Sequence, residues 1–221
     1  MGKTLYISDL DGTLLNSDAL LSEETIDTIR EIINRGEIFS VATARSFFRS
    51  EGFASSLQLK HPIIVYNGSF LADPITKETT DHIYFDDSAT NYLKNLLNEH
   101  NILPNVFSFI DGRDRVSLIP DSTKEYYLKS RTRDKRMRLV NKADDLYLGK
   151  IFHYLCVGKE SELQEVYDIL KIDPNLYCVF QKEVYSHEHW LDIAPKEATK
   201  GKAALKLKQL LNCDKIVAFR R

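Results

Sequence analysis

The sequence predicts an α/β fold: a mostly parallel sheet covered by helices, with a smaller α+β segment inserted into it. Short apolar runs alternate with amphipathic ones over the first third of the chain, as the strands and covering helices of a parallel sheet do. From about Asp81 the texture changes to an α+β mixture without a low-complexity linker, and the last segment returns to helix followed by strand. At about 150 residues per domain, 221 residues suffice for a core carrying one inserted smaller domain. The expected division is residues 1–81 and 188–221 for the core and 82–187 for the insertion.

Thr4 to Ser8 reads as a buried strand. Ser22 is placed to cap a helix whose first turn holds Glu23 and Glu24, where the positive end of the dipole favours acids. Ile26, Ile29 and Ile33 then recur at helical spacing until Gly36 ends it. Ile38 to Thr43 predicts a second strand, Phe47 to Leu57 a second helix, and Ile63 to Tyr66 a third strand closing at Asn67-Gly68, which completes βαβαβ. The insertion is expected to hold a helix near Ser88 to His100 and strands Val106 to Ile110 and Val116 to Ile119, which flank the hairpin pair Asp111-Gly112. A helix near Ser161 to Leu170 and strands at Leu176 to Phe180 and Trp190 to Ile193 follow, then a helix from Lys200 to Leu211 and a strand Ile216 to Phe219.

Composition excludes several classes of function. With 30 Lys and Arg against 32 Asp and Glu the net charge is -2, so no global basic field exists to hold nucleic acid or an anionic membrane. No stretch approaches the apolar length of a membrane span, and Met1 to Asp9 lacks the apolar region of a signal peptide. Cys156, Cys178 and Cys213 are odd in number and widely spaced, which suits a reducing compartment, and the expected location is the cytoplasm.

The strongest chemical signal is Asp9-Leu10-Asp11-Gly12-Thr13, directly after the first strand. Open α/β sheets bind ligands at the C-terminal ends of their strands, and two carboxylates two residues apart there can serve one centre. One can attack a phosphorus atom while the other protonates the leaving oxygen and later activates water. Alone, the pentapeptide reads equally well as turn chemistry.

The motif resembles the first motif of the haloacid dehalogenase superfamily, Asp-x-Asp-x-Thr at the end of the first strand. The resemblance implies a Rossmann-like core, Asp9 as nucleophile, Asp11 as general acid/base, and Mg²⁺ held by the Asp9 side chain and the Asp11 backbone carbonyl. Thr43, in Val41-Ala42-Thr43-Ala44-Arg45-Ser46, matches the second motif, whose hydroxyl and amide bind phosphoryl oxygens. Ala44 stands where the Cof-like branch usually has Gly. Arg45 is a candidate for steering substrate, and Asn67, in Tyr66-Asn67-Gly68, for a wall of the site. Ile193-Ala194-Pro195-Lys196-Glu197-Ala198-Thr199-Lys200-Gly201 is similar to the segment carrying the third-motif lysine; Lys200 fits and Lys196 is the weaker alternative. The insertion resembles a C2-type cap that closes over the core and selects substrate. Together these imply a Mg²⁺-dependent phosphatase acting on a small phosphorylated metabolite, with sugar phosphates favoured.

The sequence departs from the family at the fourth motif, where Arg220-Arg221 stand in the place of Gly-Asp after Ile216 to Phe219. This predicts a core shortened at its C-terminus, a thin metal site and a sheet edge open to self-association. A catalytically impaired metabolite-binding or interaction protein is therefore one alternative, and a phosphomutase another. Two weaker signals remain. Lys129 to Arg138 holds six basic residues in ten, read as a solvated face or, less simply, a phosphate-attracting patch. His187-Glu188-His189 invites a metal-site reading, but lacks further clustered ligands.

Overall fold

The computed structural model describes residues 2–120, 134–182 and 188–220. The chain divides into two compact units, Met1–Ile83 with Glu197–Arg221, and Tyr84–Lys196.

In the first unit, β1 (Thr4–Asp9), β2 (Ile38–Ala42), β3 (Ile63–Val65) and β12 (Lys215–Phe219) run parallel, in the order β12-β1-β2-β3. Two short antiparallel strands, β4 (Phe70–Ala72) and β5 (Thr79–Thr80), extend the sheet beyond β3. The sequence does not foretell this hairpin: its strands are too short to show a period, and its turn is closed by the Asp73 carboxylate, which accepts from the amides of Ile75 at 2.7 Å and Thr76 at 3.0 Å. Three helices complete the unit, α1 (Glu23–Asn34), α2 (Phe47–Ser56) and α5 (Lys200–Leu210). Each begins where a hydroxyl caps it: Ser22 accepts from the Thr25 amide, Ser46 from Arg49 and Thr199 from Lys202. Ala203 and Leu207 of α5 pack with Leu5, Ile7, Ala42, Ile64 and Leu71 of the sheet, while α1 lies against β2 and buries Ile29 and Ile33. Burial of each such Leu or Ile side chain is worth about 1.5–3 kcal/mol. At the β12 edge, Val217 and Phe219 are exposed.

The second unit is a six-stranded sheet built from β6 (Asn105–Ile110), β7 (Arg113–Leu118), β8 (Met137–Leu139), β9 (Lys150–Gly158), β10 (Leu176–Lys182) and β11 (His189–Pro195). The order is β10-β11-β9-β6-β7-β8, antiparallel except for β7 with β8. Asp111 and Gly112 turn the β6–β7 hairpin with φ of 50° and 74°, the left-handed pair that matches strand twist. Helices α3 (Asp87–Glu99) and α4 (Glu160–Leu170) send Leu93, Leu97, Leu163, Val166 and Leu170 into one core with Val106, Tyr154, Cys156, Leu191 and Ile193. In β11 that core takes one of the two alternating sets, Leu191 and Ile193; the other set carries Asp192, bonded at 2.9 Å to His153 of β9.

The return crossing expected at residue 188 falls instead after Lys196. The physical reason is β11, whose residues 189–195 pair on both sides with β9 and β10 and so belong to the second sheet. Among the described residues no helix is long and apolar enough to cross a membrane.

Candidate active site

The parallel register brings the ends of β1, β2 and β3 to one edge of the first sheet, with Asp9 aligned to Ala42 and Ala42 to Ile64. The loops that leave those ends are stitched together by backbone bonds. Thr43 donates to the Ile64 carbonyl at 2.9 Å, Asn67 to the Thr43 carbonyl at 3.0 Å, and Tyr66 to the Arg45 carbonyl at 3.0 Å. Tyr66 and Asn67 hold φ of 49° and 55°, a left-handed turn that costs Asn little and Tyr more. Gly68 follows with φ of 108° and lies directly against Thr199. The third loop thus abuts the start of α5, whose first residue is Lys200.

Lys200 Nζ donates to Asp9 Oδ2 at 2.8 Å, joining positions 191 apart in sequence. A cation at a helix N-terminus faces the positive end of the dipole, so a carboxylate partner offsets an unfavourable placement. Asp9 is well covered, with 16% of its side chain exposed, whereas Asp11, beyond the strand end, is 53% exposed. Gly12, at φ of 71°, allows the tight turn that returns the Leu15 amide to the Leu10 carbonyl at 2.9 Å.

Asp11 is gripped by Arg45. Arg45 Nε donates to Oδ2 at 3.0 Å and Nη2 to Oδ1 at 2.6 Å, a two-point fork. The guanidinium carbon also lies 5.0 Å from the centre of the Phe53 ring on α2, which holds the cation over an aromatic face. Thr43 is buried, and its Oγ1 accepts from the Arg45 amide at 3.1 Å. The structure therefore joins Asp9 to Lys200, Asp11 to Arg45, and Thr43 to Asn67 through the backbone. Lys196 lies in the second unit, where its amide donates to the Asn175 carbonyl.

Two contributors are not singled out by sequence reasoning. Gly68 reads as half of an Asn-Gly turn, and nothing local signals its contact with Thr199. Phe53 reads as an ordinary helix residue, because its partner Arg45 precedes the helix cap.

The donors present fit a hard cation. Lys200 takes one oxygen of Asp9, leaving Oδ1, and the Asp11 carbonyl is a second hard donor; Mg²⁺ is commonly held by one or two carboxylates plus water and substrate phosphate. Among the described residues no group of three or more His, Cys, Asp and Glu side chains gathers to hold a metal. His187 lies outside the described residues, and His189 stacks on Phe180 with Nε2 3.7 Å from the Glu160 carboxylate. Of the basic run, residues 129–133 lie outside the described residues. Arg136 is buried and bonded to Asp134 and Asp114, and Arg138 donates to Ser117 and to the Asp145 carbonyl, so these two are structural cations and not a solvated face.

A family model described as haloacid dehalogenase-like hydrolase matches residues 6–219. The chain is 31% identical over 108 residues to the 5-amino-6-(5-phospho-D-ribitylamino)uracil phosphatase YitU of Bacillus subtilis, covering 46% of this chain and 39% of that protein. It is 24% identical over 216 residues to YwtE, a phosphatase named for the same compound and from the same organism, covering 90% of this chain and 74% of that one. Among solved structures, a haloacid dehalogenase-like hydrolase from Bacteroides thetaiotaomicron superposes with a TM-score of 0.76 at 20% identity, over 98% of this chain and 80% of the other, which is a likeness of fold. Since the family match runs from within β1, through both units, to the last residue of β12, the chain belongs to the haloacid dehalogenase-like hydrolases.

Proposed function

We propose that the chain is a phosphatase that hydrolyses the phosphate monoester of a small metabolite, a sugar or polyol phosphate, with Asp9 as nucleophile. The observation that carries this reading is the 2.8 Å contact between Lys200 and Asp9 at the C-terminal edge of a parallel sheet. A well-covered carboxylate paired with an ammonium can attack an anionic phosphoryl group, since the cation offsets charge that would otherwise repel it. The activities for which YitU and YwtE are named, on a phosphorylated ribityl compound, support the substrate class.

In the first step an Asp9 oxygen forms a bond to phosphorus while the bond from phosphorus to the leaving oxygen breaks. The leaving oxygen keeps the electron pair and takes a proton from Asp11. In the second, water attacks the phosphoryl group on Asp9, Asp11 accepts the proton, and inorganic phosphate leaves with Asp9 restored. Lys200 holds the negative charge that accumulates on the phosphoryl oxygens, and the Thr43 hydroxyl would donate to one of them. Asp9 and the Asp11 carbonyl would hold Mg²⁺, which when bound supplies further neutralisation of phosphoryl charge. The free thiols of Cys156, Cys178 and Cys213 suit a reducing compartment such as the cytoplasm.

The test is hydrolysis of p-nitrophenyl phosphate with and without added Mg²⁺, beside Asp9→Asn. Turnover in the native chain that falls on the order of a thousandfold or more in the variant is expected. Equal rates in both, from chains of equal helicity, would reject Asp9 as nucleophile.

A further inference from the structure

The proposed mechanism asks Asp11 to face the leaving oxygen, yet both of its carboxylate oxygens are taken by Arg45. The fork closes on the same carboxylate side from which a proton would be delivered, so the acid/base and its cation cannot both keep this arrangement during turnover. The partners differ in how firmly they are held. Asp11 is 53% exposed on a turn, whereas Arg45 has 17% of its side chain exposed, an amide bonded to Thr43 and a guanidinium over Phe53. The register adds a second constraint: Asp9 lies opposite Ala42, so Asp11 and Arg45 stand two and three residues beyond that aligned pair on adjacent strands. A phosphoryl group between Asp9 and Thr43 therefore arrives beside the guanidinium. A phosphate dianion presents more charge than the carboxylate and a similar oxygen spacing, and guanidinium forks bind both.

We propose that Arg45 is a clasp on Asp11 that the substrate's phosphoryl group opens: the guanidinium exchanges the carboxylate for phosphoryl oxygens, and Asp11 is released to face the leaving group only when a phosphoryl group is present. Arg45 is thereby a positioning residue for Asp11 as well as a phosphate ligand, and an empty site keeps its acid/base engaged. The inference rests on the phosphatase reading.

The test measures inorganic phosphate affinity by calorimetry for the native chain, Asp11→Asn, Arg45→Gln and the double variant. A clasp makes Asp11 and phosphate rivals for one cation, so Asp11→Asn is expected to tighten phosphate about 1.5- to fivefold, the range of exposed ion pairs. That gain is expected to shrink to less than half, on a logarithmic scale, in the Arg45→Gln background. Arg45→Lys, which keeps the charge and the stem on Phe53 but not the fork, repeats the cycle if Arg45→Gln does not fold. A gain that survives at half or more without Arg45, or no gain at all in Asp11→Asn, overturns the clasp and leaves the phosphate site standing. Absence of phosphate binding in all four folded chains overturns the clasp and the phosphatase reading together.

Discussion

A Cβ placed on Gly68 would lie 2.3 Å from the carbonyl oxygen of Thr199 and 2.5 Å from its carbonyl carbon. Both are backbone atoms at the start of α5, so neither can move without moving Lys200. Gly68 also sits at φ of 108°, where any side chain is strained. Gly68→Ala is therefore expected to destabilise the first unit by about 1–3 kcal/mol and to lower kcat by displacing Lys200 from Asp9. Urea denaturation and aryl phosphate turnover check the two effects separately. Native stability with native turnover would show that the loop yields freely.

Gly52 gives the opposite result. It is exposed on α2, a Cβ added there would meet nothing within 4 Å, and it carries no left-handed φ. Gly52→Ala should raise stability by about 0.5–1 kcal/mol through helix propensity, read as a higher urea midpoint at unchanged turnover.

The same contrast explains how much the sequence discloses. The order strand, helix, strand in the first unit is legible because Ser22, the Ile26-Ile29-Ile33 spacing and Gly36 are local signals that agree with one another. The longest strand, β9, escapes such a reading. It lies between β6 and β11 with Ile151 and Phe152 both buried, so its run Lys150-Ile151-Phe152-His153-Tyr154-Leu155 never alternates cleanly. At the site, motif order points to Asp9, Thr43 and Lys200, but the partner of Arg45 depends on the register of β1 against β2. Register is a property of two strands and is written in neither. For the same reason Arg136, one of six basic residues in a run, could not be recognised as a buried cation without Asp114 and Asp134 beside it.

Lys200 is the site's cation with the least structural reason to be there, because it stands at the N-terminus of α5. Lys200→Met is expected to lower kcat for aryl phosphate by about 10²–10³, the size of losing one preorganised electrostatic partner. Stability should change by less than about 1 kcal/mol, since the pair is partly exposed and its loss is offset by relief at the helix terminus. A large drop in urea midpoint with little change in kcat would instead make the pair a structural one.

Protonation of His61 opposes folding. Its pKa is lowered from 6.5, first by partial burial and then by the neighbouring Lys60 charge. The unfolded chain therefore binds a proton that the folded chain resists, and folded stability is complete above the ordinary value. As pH falls through 6.5 toward the lower folded pKa, that stability is lost. Urea midpoints at about pH 8 and about pH 5 should differ less in His61→Asn than in the native chain. Equal differences in the two proteins would remove His61 from the account.

The cysteines of the second unit should be nearly inert in the folded chain. Burial raises the Cys156 thiol in the core formed with Leu163, Val166 and Leu191, and raises Cys178 on β10 to about 12. The thiolate is the reactive species, and a thiol with a pKa of about 12 is only about one part in ten thousand ionised at pH 8. Ellman's reagent is expected to label Cys156 and Cys178 at least about a hundredfold more slowly in the native chain than in urea, where all three thiols should react. Mass mapping of the labelled peptides separates these two from Cys213. Cys156→Ser should cost about 1–3 kcal/mol, because a hydroxyl that replaces the thiol in that apolar cluster must be desolvated there. Fast native labelling of Cys156 would mean that the second unit opens locally far more often than its fully buried core implies.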